Sequence, residues 1–326
     1  MRTPAEWELH ERTLMGWPCR LELWGAAIDQ ACAEYAAVAN AIAAFEPVTM
    51  IANPGADVAA ARSACTAAVE TVELALDDSW LRDCGPIYVY DDDGTRVAVH
   101  FRFNAWGEKF PPWDRDAAVG RLIAEELGDP VVAAEMVLEG GSILTDGDGT
   151  LLTTEQCLLH PNRNPSLSRE EIEAELRRLL GVERIVWLGK GLVEDRDTDG
   201  HVDLIAAFTA PDAVLLQTVH DANPNVENCQ ENRRRLVAAG VQVTELPFLA
   251  YAEVAGEQIA ASYLNFYICN GGVIVPVAGA ETDADALAII ARAYPDHEVV
   301  AVPGLVLAYG GGGPHCITQQ VPVHHG

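Results

Sequence analysis

Lysine is almost missing from this chain. Lys109 and Lys190 are the only two among 326 residues, and 21 basic side chains stand against 49 acidic ones, a net charge of −28. A nucleic-acid-binding surface needs a basic footprint, so nucleic acid is excluded as a partner. Most of the acidic excess keeps the surface solvated, and whatever part lines a cleft would draw a cation inward. No stretch is long and apolar enough to cross a membrane. The opening residues Met1-Arg2-Thr3-Pro4-Ala5-Glu6-Trp7 carry no apolar signal region, which predicts no membrane partner and a cytoplasmic location. Paired cysteine spacings are absent as well. The eight cysteines, at 19, 32, 65, 84, 157, 229, 269 and 316, include no CxxC and read as free thiols in a reducing compartment. There is no HExxH, and although His201 and Asp203 flank one residue, no third ligand follows at a matching spacing, so no metal is expected. The glycine runs at 271–272 and 310–313 are not followed by GK[ST] and do not fit GxGxxG, which excludes a nucleotide phosphate site and leaves no cofactor implied.

What the chain does have is a long period. Ser168-Arg169-Glu170-Glu171 forms a capping box that opens a helix. Ile172, Leu176, Leu179 and Leu180 then fall on one face, Gly181 stops the helix, and a strand follows over 184–188. Helices that start near 57, 116, 171, 228 and 283, each leading to a strand (71–76, 131–137, 184–188, 241–246, 298–302), recur at about 57-residue intervals. An additional amphipathic helix over 26–45 precedes the series and is expected to begin or close it. The fold class is α/β, and residues 1–326 read as a single catalytic domain of five repeated modules. Modules set radially, as propeller blades are, would turn their loops toward one axis.

Asp83, Glu139, His201, Asn265 and Cys316 each follow the strand of one module, so each module delivers one polar group from a comparable loop. Cys316 ends the run Gly311-Gly312-Gly313-Pro314-His315, where glycines permit close backbone approach to a ligand. A thiol with a distant histidine is a nucleophile arrangement. His201, between Asp199 and Asp203, is the general acid/base candidate, because carboxylates favour the imidazolium. Asp83 and Asp203 open apolar strands, positions that are costly unless a cation or donors pair with them. A guanidinium offers both charge and planar donors. Trp80 could present a ring to a cation or an alkyl chain. His315 is expected to point away from Cys316 in an extended segment, and His324 and His325 lie in a tail.

These segments, Trp80–Asp83, Glu139-Gly140-Gly141-Ser142, Asp199-Gly200-His201-Val202-Asp203, Asn265-Phe266-Tyr267-Ile268 and the stretch 311–320, together with Pro4–Trp7 and Phe103-Asn104-Ala105-Trp106-Gly107, resemble agmatine deiminases. These belong to the guanidino-group-modifying superfamily, alongside peptidyl-arginine deiminases. The resemblance runs nearly end to end. It implies a five-bladed, pseudo-symmetric α/β propeller of the pentein type and a homo-oligomer, for which the sequence shows no interface signature. It implies Cys316 as nucleophile, His201 as acid/base, Asp83 and Asp203 as the guanidinium grip, and Trp80, Glu139, Asn265 and Gly313 at the substrate. The implied reaction hydrolyses agmatine to N-carbamoylputrescine and ammonia through an amidino-cysteine. The alternatives are a deiminase or amidinotransferase for another small guanidino compound, or a silent propeller that binds polyamines or a partner. Two stretches, 19–24 and 194–198, depart from the family pattern and bear on the substrate tail.

Overall fold

The computed structural model describes residues 1–220 and 222–324, so His325 lies outside the described residues. Eighteen strands, β1 to β18, are arranged in five mixed sheets and one hairpin. The first sheet contains β1 (His10–Gly16), β2 (Val48–Ala52) and β3 (Val69–Glu73). The next four sheets repeat one plan: an antiparallel pair, a helix, and a third strand parallel to the second. They are β4 (Ile87–Tyr90), β5 (Arg96–Arg102) and β6 (Val131–Val137); β7 (Ile143–Thr145), β8 (Thr150–Thr154) and β9 (Arg184–Leu188); β10 (Ala206–Ala210), β11 (Ala213–Gln217) and β12 (Gln242–Leu246); and β15 (Tyr267–Cys269), β16 (Gly272–Val277) and β17 (Glu298–Pro303). The hairpin β13 (Ala250–Val254) and β14 (Glu257–Ala261) stands between the last two. Strand β18 (Thr318–Pro322) returns to pair antiparallel with β1, so the end of the chain completes the first sheet.

The repeating helices begin where the period places them: Ala56–Ala64, Asp116–Glu126, Arg169–Leu180, Val226–Ala238 and Asp283–Ala293. The first module nonetheless differs from the others. Helix Ile28–Ile42 crosses from β1 to β2, and helix Ala56–Ala64 then crosses from β2 to β3, both to parallel neighbours. The helix expected to begin or close the series is a crossover within the first sheet, which has four strands.

The central strands β2, β11 and β16 read as nearly continuous apolar runs because both of their faces are buried. Side chains alternate across a strand, and neighbouring residues here enter different cores. In β10, Ala206 and Phe208 join one cluster while Ala207 joins the next. In β16, Val273 and Val275 face one cluster and Ile274 another. The clusters join module two to three, three to four and four to five, and the largest links β15–β17, β1–β3 and β4–β5. The packing thus forms a closed circuit. Among the described residues no helix is long and apolar enough to cross a membrane.

The Arg169–Leu180 helix carries the predicted reciprocal capping box at Ser168 and Glu171 and ends at a left-handed Gly181. Its buried face is Ile172, Leu176, Leu179 and Leu180. Ser168→Ala is expected to cost ~1 kcal/mol of unfolding free energy, and Leu176→Ala ~2–5 kcal/mol. Urea denaturation measures both. A Leu176 loss no larger than the Ser168 loss would show that the buried face is not what anchors this helix.

Candidate active site

Each of the five loops that follow β3, β6, β9, the β13–β14 hairpin and β17 brings a polar group to one place. The nucleophile candidate comes from the last. After the short helix Leu305–Tyr309 the chain runs through Gly310–Gly313 and turns at 314–317. A Cβ on Gly312 would lie 2.8 Å from both Cys316 Sγ and the Trp80 ring, so only glycine fits there. Asn265 braces the turn: its Oδ1 accepts from the Cys316 N–H (3.3 Å), and its carbonyl accepts from the His315 N–H (3.1 Å). Gly313 packs against Asn265, with a would-be Cβ 2.9 Å from Oδ1.

Because the segment turns instead of extending, His315 does not point away. Its Nδ1 sits 2.8 Å from Asp203 Oδ2 and its Nε2 2.8 Å from Glu6 Oε1. Burial pulls the His315 pKa down and Arg82 adds to that, but Glu6 and Asp203 outweigh both and raise it. Cys316 Sγ lies 3.4 Å from the same Asp203 Oδ2. Burial, then Asp203 and Asp83, push the thiol well above its ordinary pKa, which favours the thiol over the thiolate.

Asp83 lies in the one-turn helix Leu81–Cys84. It does not form a surface pair with Arg82: both are buried, and Arg82 instead donates from Nε to the His315 carbonyl (3.2 Å) and from Nη1 to Gln320 Oε1 (2.8 Å). Asp83 Oδ2 accepts from Trp106 Nε1 (2.9 Å) and Oδ1 from the Gly141 N–H (2.9 Å). Burial raises its pKa to about 6, opposed by His201 and reinforced by Asp203 and Glu139. A Cβ on Gly141 would lie 2.7 Å from His201 Nδ1, 2.8 Å from Asp203 Oδ2 and 2.9 Å from Asp83 Oδ1. Three ionisable side chains therefore meet around one bare stretch of backbone.

His201 is fully buried, 3.9 Å through Nδ1 from Asp83 Oδ1 and 3.8 Å through Nε2 from Glu139 Oε2. Burial opposes its protonation, but Asp83, Cys157 and Glu139 outweigh that and raise its pKa well above the usual value, so it is an imidazolium. Asp203 is held low: burial raises it, and the His315 hydrogen bond and charge more than reverse this. Glu139 is likewise lowered against burial, chiefly by Arg163, whose Nε donates to Oε1 at 2.6 Å. Both His201 nitrogens, Glu139 Oε2 and Asp203 Oδ1 are buried without a hydrogen-bond partner.

A narrow cavity opens onto this cluster. Trp80, Asp83 and Cys316 line it; His201 and Asp203 are not in its wall but lie directly beside those residues, 3.9 Å from Asp83 and 3.4 Å from Cys316. Glu139, Asn265 and Gly313 do not line it; they hold His201 and the Cys316 turn from behind. Trp80 combines both of its readings, as pocket wall and as a core ring stacked on Trp24 at 5.9 Å. Leu23 and Asp197, from the two departing stretches, also line the cavity, as do Asp78 and Trp106. Trp106, Arg163 and Asp197 had no role in the sequence reading. The only signal for Trp106 was its place in Phe103–Gly107. The fold also supplies the third metal-type group that the spacing lacked, since ligand atoms of Glu139, Cys157 and His201 lie within 4.8 Å of one another. The Arg163 guanidinium on Glu139 and the proton on His201 oppose a cation at that point.

The chain belongs to the Porphyromonas-type peptidyl-arginine deiminase family, whose model matches residues 2–322. A relative from Stutzerimonas stutzeri named agmatine deiminase is 44% identical over 349 residues, covering 98% of this chain and 95% of that protein. The solved agmatine deiminase of Enterococcus faecalis superposes with a TM-score of 0.94 at 36% identity, covering 99% of this chain and 96% of that one. A C. jejuni agmatine deiminase solved with substrate bound gives 0.92 at 27% identity over the same shares.

Trp106→Phe removes one donor to a buried carboxylate, worth ~1.5–3 kcal/mol, and should lower kcat/KM by at least about tenfold. Unchanged kinetics would separate Trp106 from the Asp83 charge. Alkylation of Cys316 in the free protein by iodoacetamide, followed site by site by mass spectrometry, should rise about tenfold per pH unit up to about pH 9, because the thiolate is the reactive form. A plateau near pH 7 would mean the thiol is already ionised.

Proposed function

We propose that this chain hydrolyses agmatine to N-carbamoylputrescine and ammonia. The observation that carries the reading is the cluster around Gly141: a thiol, an imidazolium and two carboxylates, with Asp203 Oδ1 left without a hydrogen-bond partner. The relatives named agmatine deiminase support the same substrate.

Asp83 and Asp203 hold the guanidinium nitrogens, which makes attack intramolecular in effect. The bound cation reverses the field that keeps Cys316 protonated, so the thiol releases its proton to solvent as the complex forms and leaves a thiolate. The sulfur attacks the guanidinium carbon and gives a tetrahedral adduct. His201, already an imidazolium, protonates the departing nitrogen, and ammonia leaves behind an amidino-thioether. The now neutral His201 takes a proton from water as its oxygen bonds to the same carbon. Collapse breaks the C–S bond and releases the ureido product. The scheme needs neither a metal nor an organic cofactor.

At the other end of the substrate, the tail ammonium meets Asp197. Asp78 also lines the cavity but is engaged by Arg20 at 3.2 Å. The Asp197 carboxylate makes no hydrogen bond or ion pair among the described residues, and burial raises its pKa, as expected of an acceptor awaiting a cation. All five modules contribute to this one site, so we take the chain as one catalytic unit. Eight free cysteines fit a reducing cytoplasm as its working location.

Purified protein should release ammonia from agmatine with formation of the ureido product, and Cys316→Ala should abolish turnover while retaining binding. Ammonia release by the alanine variant would rule out the covalent route. Amidine transfer to an added amine, without ammonia, would change the reaction class.

A further inference from the structure

One of the two lysines sits at the cavity's rim. Lys109 Nζ lies 3.1 Å from the Arg196 carbonyl, 2.8 Å from the Asp197 carbonyl and 2.8 Å from Asp199 Oδ1. An ammonium has three donors, and all three are spent on one short stretch of chain. That stretch, residues 194–200, supplies Asp197 and Thr198 to the cavity wall and leads directly into His201. Its far end is fixed from within: the Asp195 carboxylate accepts from the Thr198, Gly200 and His201 N–H groups. Its near end, at Arg196 and Asp197, is reached by Lys109.

Lys109 is itself delivered by an unusual backbone. Ala105, Trp106, Gly107 and Glu108 all have positive φ, at 50°, 55°, 89° and 64°. Only one of the four is glycine, so the run is held against its steric preference. Asn104 holds it by accepting from the Gly107 N–H (2.9 Å), and Asn162 fills the space beneath Gly107, where a Cβ would fall 2.1 Å from its amide nitrogen. This arch presents the Trp106 indole to Asp83 at the reacting end and Lys109 to the Asp197 backbone at the other.

The charge arrangement gives Lys109 a specific part. A lysine free to approach the Asp197 carboxylate would neutralise it and compete with a cationic tail. Here Asp199 takes the direct contact with the ammonium, and Lys109 hydrogen-bonds Asp197 only through its carbonyl, its charge reaching the Asp197 carboxyl at longer range. Asp199 is fixed in turn by Arg163 (2.8 Å) and Asn162 (3.0 Å). The Asp197 carboxylate is thereby held over the cavity without a partner of its own.

We infer that Lys109 is a positioning residue for substrate selectivity: by clamping the Arg196 and Asp197 carbonyls it fixes Asp197 as the acceptor for a cationic substrate tail. The inference rests on the agmatine reading of the site. It separates two roles that a general structural part would not, namely recognition of the tail charge and chemistry at the guanidinium.

The test compares agmatine with n-butylguanidine, which keeps the four-carbon chain and lacks the ammonium. In Lys109→Met, kcat/KM for agmatine should fall by about tenfold or more, mainly through KM, while that for n-butylguanidine changes by less than about threefold. Lys109→Arg, which can still donate to both carbonyls, should recover most of the agmatine preference. Binding of agmatine to Cys316→Ala, with and without Lys109→Met, should show the same loss in Kd. Equal losses on both substrates, or no loss on either, would overturn the inference, as would a preference that Lys109→Arg fails to restore in a variant melting like wild type. Should Lys109→Met not fold, the Lys109→Arg comparison decides alone: retained discrimination supports the clamp, and lost discrimination with normal melting overturns it. Wild-type protein that turns over neither compound would defeat the reading of the site, and this inference with it.

Discussion

The constraint on which the rest of the structure depends is the burial of charge. Asp83, Glu139, His201, Asp203 and His315 are all at most 5% exposed, and Cys316 lies among them. Ions taken from water at this density are tolerable only where fixed donors and counter-charges meet them. Each carboxylate has its own: Trp106 and the Gly141 amide for Asp83, Arg163 for Glu139, and His315 for Asp203. Much of the local architecture serves these contacts. The arch at 105–108 exists at a backbone cost, and it delivers an indole N–H. Gly141 and Gly312 lack side chains where the ionisable groups have to close in.

The satisfaction is deliberately incomplete on one side. Within this cluster the buried atoms without a hydrogen-bond partner include both His201 nitrogens and Asp203 Oδ1, from groups that would move a proton or meet a substrate, and Glu139 Oε2 behind them. A polar atom buried without a partner costs stability. A planar cation with several donors removes part of that deficit. Binding and charge satisfaction are then a single event, which is how a preorganised site exploits its own strain.

The regular part of this molecule was legible in the sequence. The helix after Ser168 follows from a capping box and an apolar face, and the strands 131–137 and 184–188 appear with the bounds read from their apolar runs. The groups one per module could be lined up because each follows the strand of its own repeat. What was not legible is what depends on non-local partners. Nothing in Ala105-Trp106 announces a left-handed backbone, since neither residue favours it. Arg163 looks like any arginine in a loop until Glu139 and Asp199 arrive from other modules. His315 was misjudged because a turn was taken for extended chain. The double crossover of the first module escaped because a period reports spacing and not which strands pair.

The pairing of β1 with β18 has a consequence in time. Glu6 supports His315 across 309 residues of sequence, and β1 finds its antiparallel partner only at Thr318–Pro322. As the chain emerges from a ribosome, four sheets can gather their own strands in order, while the first waits with one edge open until Thr318–Pro322 has been made. Contacts of such long range form late and slowly. Cys316, the proposed nucleophile, and the strand that closes the circuit lie within a few residues of each other, so the thiol reaches its place only as the ring that shields it shuts.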